Sequence, residues 1–408
     1  MRKTAYLLSL AMICIMFLTG CWNRRELDQL AISLAMGIDK EGDQYVVTHQ
    51  VVNPSEVASS KGGGGGTATP VTMYQGKGKT VFEASRRVTK IVPRKIYAAH
   101  IRVLVIGEEF AKEGLAKALD FISRGQEFRT DFYIVLAKGG KAADALKVLT
   151  PLEKIPANNI FEILETSEKA WAAAGTVQLD KLISDLVSKG KEPAITGIRI
   201  NGNPEEGSKP ANLESTDVPT RVTVSDIAVL KDGKLVGWLS EPESKVYNYI
   251  IGNVFSTVIS LPCPKRTNKQ EEFAYEVIRT KENVKARIDE GKPIIEVKIE
   301  AEGSLAEVEC AQLDLSKTET VRQLEKQLND QMEQEIKTVV KAVQKKYKAD
   351  IFGFGEVVHR ENPDYWKKVK NDWEKIFTKI EIRGKADFKI RRTGTVGDSF
   401  LNELEKEK

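Results

Sequence analysis

The sequence predicts an α+β protein of three mixed α/β domains, each a sheet covered by helices, with one long helix in the C-terminal domain. Three observations predict this. Short apolar runs alternate with amphipathic stretches between residues 71 and 149, the pattern of strands interleaved with helices. Residues 201–218 replace periodic apolar positions with Pro, Gly, Asn and charge, which divides the chain. Residues 315–347 carry an apolar stripe at helical spacing through Val321, Leu324, Leu328, Met332, Ile336, Val339, Val343 and Tyr347.

The first 20 residues read as an export signal rather than as part of the fold. Arg2 and Lys3 precede an apolar run over residues 5–17, which suits a signal-peptide core of about 7–15 residues. That run is shorter than the ~20 residues a membrane-crossing helix needs. Leu18, Thr19, Gly20 and Cys21 follow it, in the form of a bacterial lipobox. The expectation is cleavage before Cys21 and a diacylglyceryl group on its thiol. Two acyl chains anchor stably where one does not. Arg24 and Arg25 stand just beyond, as a polar tether or as contacts to anionic headgroups.

The N-terminal domain is expected over 21–200. Leu30, Ile32, Leu34 and Met36 alternate as a strand, and so do Tyr45, Val47, His49 and Val51, with a turn at 39–43. A flexible glycine-rich loop covers 59–70. Strands are predicted at 71–75, 101–106, 131–137 and 194–200. Helices are predicted at 80–91, 109–122, 141–149, 151–168 and 178–189. After the 201–218 linker, a small middle α+β domain is expected over 219–262. Asp232-Gly233 gives a strong hairpin signal there, followed by a helix at 241–251 and a strand at 254–261. The C-terminal α+β domain, 263–396, should hold strands near 273–280, 283–289 and 294–301. The long helix, a helix opening at Pro363 with Trp366, Val369, Trp373 and Phe377 on one face, and a strand at 380–390 complete it. Residues 397–408 form a polar tail.

Charge is balanced, with 62 Lys and Arg against 58 Asp and Glu, so nucleic acid is not an expected partner. Four cysteines are present. Cys14 leaves with the signal and Cys21 carries lipid. For Cys263 and Cys310, a bridge and two separate buried thiols both stay open, since spacing cannot show proximity. Two cysteines without nearby histidine do not make a zinc site.

Catalytic patterns are missing from the sequence. There are three histidines, His49, His100 and His359, and neither His49 nor His100 lies at metal spacing from other ligands. No G-x-S-x-G or H-E-x-x-H occurs. Gly76-Lys77-Gly78-Lys79-Thr80 imitates a phosphate loop, but the pattern needs Gly at position 73, where Met73 stands. It reads instead as a turn into an N-capped helix. No cofactor is implied.

Several blocks resemble one known family. Cys21-Trp22-Asn23-Arg24-Arg25-Glu26-Leu27 is like C-W-[DN]-x-R-E-[IL]. AISLAMGID at 31–39, THQVVNP at 48–54 and IYAAHIRVLVIGEE at 96–109 follow in order. AVLKDGKLVGWL at 228–239 and Leu261-Pro262-Cys263-Pro264 come next. ADIFGFGEVVHR at 349–360, with Trp366, Trp373 and 390–394 (IRRTG), closes the series. The chain thus resembles the C-subunit lipoproteins of spore germinant receptors, the GerAC family. The resemblance implies a three-domain α+β protein lipid-anchored on the outer face of the spore inner membrane. It implies partners too: a germinant receptor A subunit and a membrane-integral B subunit. The leading expectation is a non-enzymatic subunit required for germination. The alternative is a lipid-anchored solute-binding protein that captures the nutrient itself. An enzyme comes third, for want of a catalytic constellation.

Overall fold

The computed structural model describes residues 3, 4, 6, 26–58, 69–264, 271–310 and 313–393. Nearly all of the expected signal, Cys21, most of the 59–70 loop and the 397–408 tail lie outside the described residues.

In chain order the elements are β1 (Leu30–Glu41), β2 (Gln44–Val52), α1 (Pro54–Ala58), β3 (Val71–Gly78), α2 (Val81–Arg87), β4 (Lys95–Tyr97) and β5 (Val103–Gly107). Then come α3 (Glu108–Glu113), α4 (Ala116–Arg124), β6 (Tyr133–Ala137), α5 (Ala142–Lys147), α6 (Pro156–Ala170), α7 (Leu179–Val187) and β7 (Ala194–Asn201). Next are α8 (Pro204–Gly207), β8 (Arg221–Lys231), β9 (Lys234–Trp238), α9 (Glu241–Ile251), β10 (Thr257–Pro262), β11 (Glu272–Asp289) and β12 (Lys292–Val308). The chain ends with α10 (Thr318–Lys346), α11 (Phe354–Glu361), α12 (Pro363–Val369), α13 (Trp373–Phe377) and β13 (Glu381–Arg392).

The class is α+β, with the long helix near the C-terminus. The strands form two sheets, one ordered β3-β2-β1-β5-β6-β7-β8-β9 with β4 beside β1, the other β10-β11-β12-β13. A separate sheet for 219–262 is therefore not what forms. β8 pairs antiparallel with β7 and extends the first sheet, while β10 pairs with β11 in the second. Periodicity gives strands but not their neighbours, and a strand joins whichever open edge it meets. The 201–218 stretch is also packed: Asn212 is buried and its amide bonds the carbonyls of Leu149 and Thr220.

The first sheet is covered on both sides. Leu104 and Ile106 of β5 pack on one face with α2, α3, α4 and α7. Val103 and Val105 pack on the other with α5 and α6. This double burial explains the unbroken apolar run of β5. It also corrects β1, whose outer half buries Ala31, Ser33 and Ala35 instead of Leu30, Ile32 and Leu34. The expected 109–122 helix is two helices, broken at Gly114 (φ +127°), because Leu115 N–H bonds Gly233 O of the β8–β9 turn. Asp232 and Gly233 both take positive φ, as a tight primed hairpin requires. α9 carries a Ser240/Glu243 capping box and ends at Gly252 in the left-handed region.

In the second sheet the expected break near 281 is absent. β11 runs continuously because β12 pairs with it over nearly its full length, through an exposed polar stretch where alternation is lost. α10, between β12 and β13 in chain order, buries its predicted stripe from Leu324 to Val343, and Tyr347 just past its end, while Val321 in its first turn is only half-buried; β12 and β13 pair in parallel. The core of this half continues into the first sheet through Ala194, Ile227, Val229 and Leu239. Trp366, Trp373 and Phe377 are buried as expected, but on α12 and α13 rather than on one helix.

Candidate functional site

Asp39, His49, Gln50 and Asp350 of the family-like blocks end up as internal ties. Asp39, near the end of β1, accepts Ala142 N–H (2.7 Å) and Ala143 N–H (3.0 Å) at the start of α5. Burial pushes its carboxyl upward. Gln50 donates to Leu146 O (2.7 Å) and accepts from Ala157 N–H (3.0 Å), so one amide bridges the end of α5 and the start of α6. Buried backbone groups at helix ends need such partners.

His49 is fully enclosed on β2. Ser33 Oγ spends its proton on Ala35 O, so His49 Nδ1–H donates to Ser33 Oγ (3.2 Å). Nε2 then accepts from Ser85 Oγ–H (3.3 Å). The Ser85–His49 pair borders a cavity of about 350 Å³ that Phe82, Phe121 and Phe128 line. It does not make a nucleophile and base: burial holds the ring at about 4, too low to take a serine proton at neutral pH.

That depression has a testable sign. An unfolded histidine titrates near 6.5. The neutral ring's stabilising contribution is full above about 6.5 and is lost as pH falls through 6.5 toward 4, on the order of 3 kcal/mol. Urea midpoints should fall more steeply over this window for the wild type than for His49→Gln. Parallel curves would refute the assignment. Comparison with the variant is needed because Glu192, held by burial at about 7, titrates in the opposite sense.

The block at 349–360 builds the seam between the two halves. Asp350 is buried, and its carboxylate accepts Gly353 N–H (3.0 Å), Phe354 N–H (3.1 Å), Gly355 N–H (2.8 Å) and Trp373 Nε1–H (3.0 Å). Burial pushes its pKa up to about 6 while the four donors pull it down. Asp350 O accepts Glu192 N–H from the other half (2.8 Å). A Cβ on Gly190 would stand 2.6 Å from Gly355 C, so two glycines let the backbones touch. Ser188 Oγ–H donates to Glu356 (3.0 Å), and Tyr347 O–H donates to Trp238 O (2.6 Å).

Cys263 and Cys310 form a disulfide with Cα atoms 5.7 Å apart, tying the ends of β10 and β12 across β11. Cys21 lies outside the described residues. His100 is exposed against Tyr97, and His359 stacks on Trp366. Thr80 caps α2 by accepting Glu83 N–H (3.1 Å), which is the N-capped turn expected there. Among the described residues no cluster of His, Cys, Asp or Glu could hold a metal ion, and no helix is long and apolar enough to cross a membrane. Sequence reasoning missed Asp39, Gln50 and Asp350. For Asp350 the closely following Gly353 and Gly355 were a usable signal; for Asp39 and Gln50 the partners are over 90 residues away.

Fold and sites together define a two-sheet α+β protein whose buried polar groups serve its own architecture. The chain belongs to the spore germination B3/GerAC-like family. That family's C-terminal model matches residues 225–394, and the spore germination protein N-terminal domain matches residues 23–200. It is similar to "Spore germination protein KC" of Bacillus subtilis (strain 168), 33% identical and covering 97% of each chain. "Spore germination protein B3" of the same organism is 26% identical over 97% of this chain and 100% of that one. The crystal structure of the GerBC protein superposes with a TM-score of 0.53 at 22% identity, covering 87% of this chain and 96% of that chain, and supports the fold. These relatives bear germination names, not enzymatic ones.

Proposed function

We propose that this protein is a non-enzymatic, lipid-anchored subunit of a nutrient germinant receptor, acting by assembly with membrane-integral A and B subunits. The observation that carries the reading is the lipobox-like run ending at Cys21 in a chain that matches a spore germination relative end to end. The diacylglyceryl thioether at Cys21 holds the body on the outer face of the spore inner membrane. Confinement beside its partners raises effective concentration, so modest interfaces suffice. The Cys263–Cys310 bridge supports export, since disulfides persist on the oxidising side of a membrane.

Cys21→Ala is expected to move the protein from the spore membrane fraction to the soluble fraction and to lower the germination rate severalfold. Normal germination with the variant soluble would overturn the reading.

One observation favours direct nutrient capture as the second reading. A cavity of about 230 Å³ lies where Gly175, Lys191 and Thr196 face Asn248 and Asn253. Asn248 gives both amide protons to Ala172 O and Ala174 O, and its buried Oδ1 has no partner among the described residues. Isothermal titration of the mature protein with germinants separates the two: specific heat would favour capture.

A further inference from the structure

The C-terminal third of α10 is built unlike the rest of the surface. Residues 336–349 hold five lysines and no acid. Lys337, Lys341 and Lys345 are exposed at helical spacing on one face, and Lys348 is exposed just past the helix end. With exposed Lys379, just before β13, they line an open groove of about 650 Å³, floored by Gln344 and Ile380. The floor is fixed: Gln344 Nε2 donates to Phe377 O (2.7 Å) and Ile380 O (3.1 Å). Elsewhere lysines are commonly ion-paired, as Lys77 is to Glu41 and Lys112 to Glu109. None of these five makes an ion pair with a described residue.

Folding alone does not account for this stripe. A helix C-terminus favours cations only in its last turn, which covers Lys345 but not Lys337 or Lys341. Like charges at i, i+4 cost helix stability. A protein docking site is also a poor fit, because protein interfaces are depleted in lysine and rich in aromatic anchors. Lysine presents a flexible point charge without bidentate geometry. That is the chemistry of basic segments lying on anionic lipid surfaces.

We propose that this groove is the face the protein turns toward an anionic bilayer, its five lysines resting among phosphate-bearing headgroups. The diacyl anchor sets the distance to the membrane, and the groove sets the orientation. The orientation rests on the anchored reading above; the groove's affinity does not. The test uses the mature chain with Cys21→Ser, which carries no acyl group, and cosedimentation with phosphatidylglycerol/phosphatidylcholine vesicles against phosphatidylcholine alone. Binding is expected to the anionic vesicles only and to weaken with added salt. The triple variant Lys337→Gln, Lys341→Gln, Lys345→Gln should lower partitioning about a hundredfold, from about fivefold per lysine. Its urea midpoint should match the wild type. Equal binding to both vesicles, or a triple variant that binds like the wild type, would sink the proposal. So would full competition by millimolar inorganic phosphate, which would make the groove a site for the free anion. Binding to poly-glutamate without vesicle binding would assign it to an acidic protein instead. If Cys21→Ala leaves localisation unchanged, the anchor reading fails while vesicle binding still stands or falls alone.

Discussion

Asp350→Ala should destabilise the fold by on the order of 4 kcal/mol. The side chain is buried and answers four donors at 2.8–3.1 Å. Alanine leaves three backbone N–H groups and the Trp373 indole N–H facing nothing, in a site water does not reach. A buried donor without a partner costs about 1–3 kcal/mol, and partial relaxation keeps the sum below the simple total. Asp350→Asn discriminates charge from shape. Its amide nitrogen would point a donor at Gly355 N–H and the indole, so it should recover less than half of the loss. Urea denaturation of the three proteins at neutral pH measures this. A loss under 1 kcal/mol for alanine would mean that the seam is held elsewhere. Because Asp350 O also receives Glu192 N–H across the seam, the variant should loosen both halves together, and hydrogen exchange should quicken at 188–192 as well as at 350–356.

Removal of the disulfide should cost about 4 kcal/mol. Cys263 and Cys310 close a loop with a separation of 47 residues. The chain-entropy model gives about 4 kcal/mol for a loop of that size, within an observed range of about 2–5. The reduced wild type and the double variant Cys263→Ser, Cys310→Ser should both show a lowered urea midpoint, the serine variant slightly the lower. Both sulfurs are buried, so serine adds a small polar penalty that Cys→Ala would avoid. A shift under 1 kcal/mol for both variants would show that pairing of β10 with β11 holds the strand ends unaided. The loss should be felt most in the second sheet, where β10 is an edge strand with β11 as its sheet neighbour.

Much of the local structure was legible in advance for identifiable reasons. Thr80 caps α2 as expected, a signal that acts within one helical turn. Asp232-Gly233 fixes its hairpin because both residues tolerate positive φ. The stripe Leu324 to Val343 needs only 3.6-residue periodicity to declare a buried face. Where two partners compete for the backbone, the sequence is silent. The break at Gly114 depends on Gly233 O, and the unbroken β11 depends on β12.

The sequence by itself determined the helices and strands whose signals are local, the balanced charge, the lipobox-like run at Cys21 and the family-like blocks. Tertiary structure alone decided that β8 and β9 complete the first sheet, that Cys263 meets Cys310, and that Asp39, Gln50 and Asp350 serve as buried ties. The division has one physical cause. Periodicity, capping and turn chemistry act over a few residues, whereas sheet order and buried hydrogen bonds join groups tens to more than a hundred residues apart, and only the closed chain brings those together.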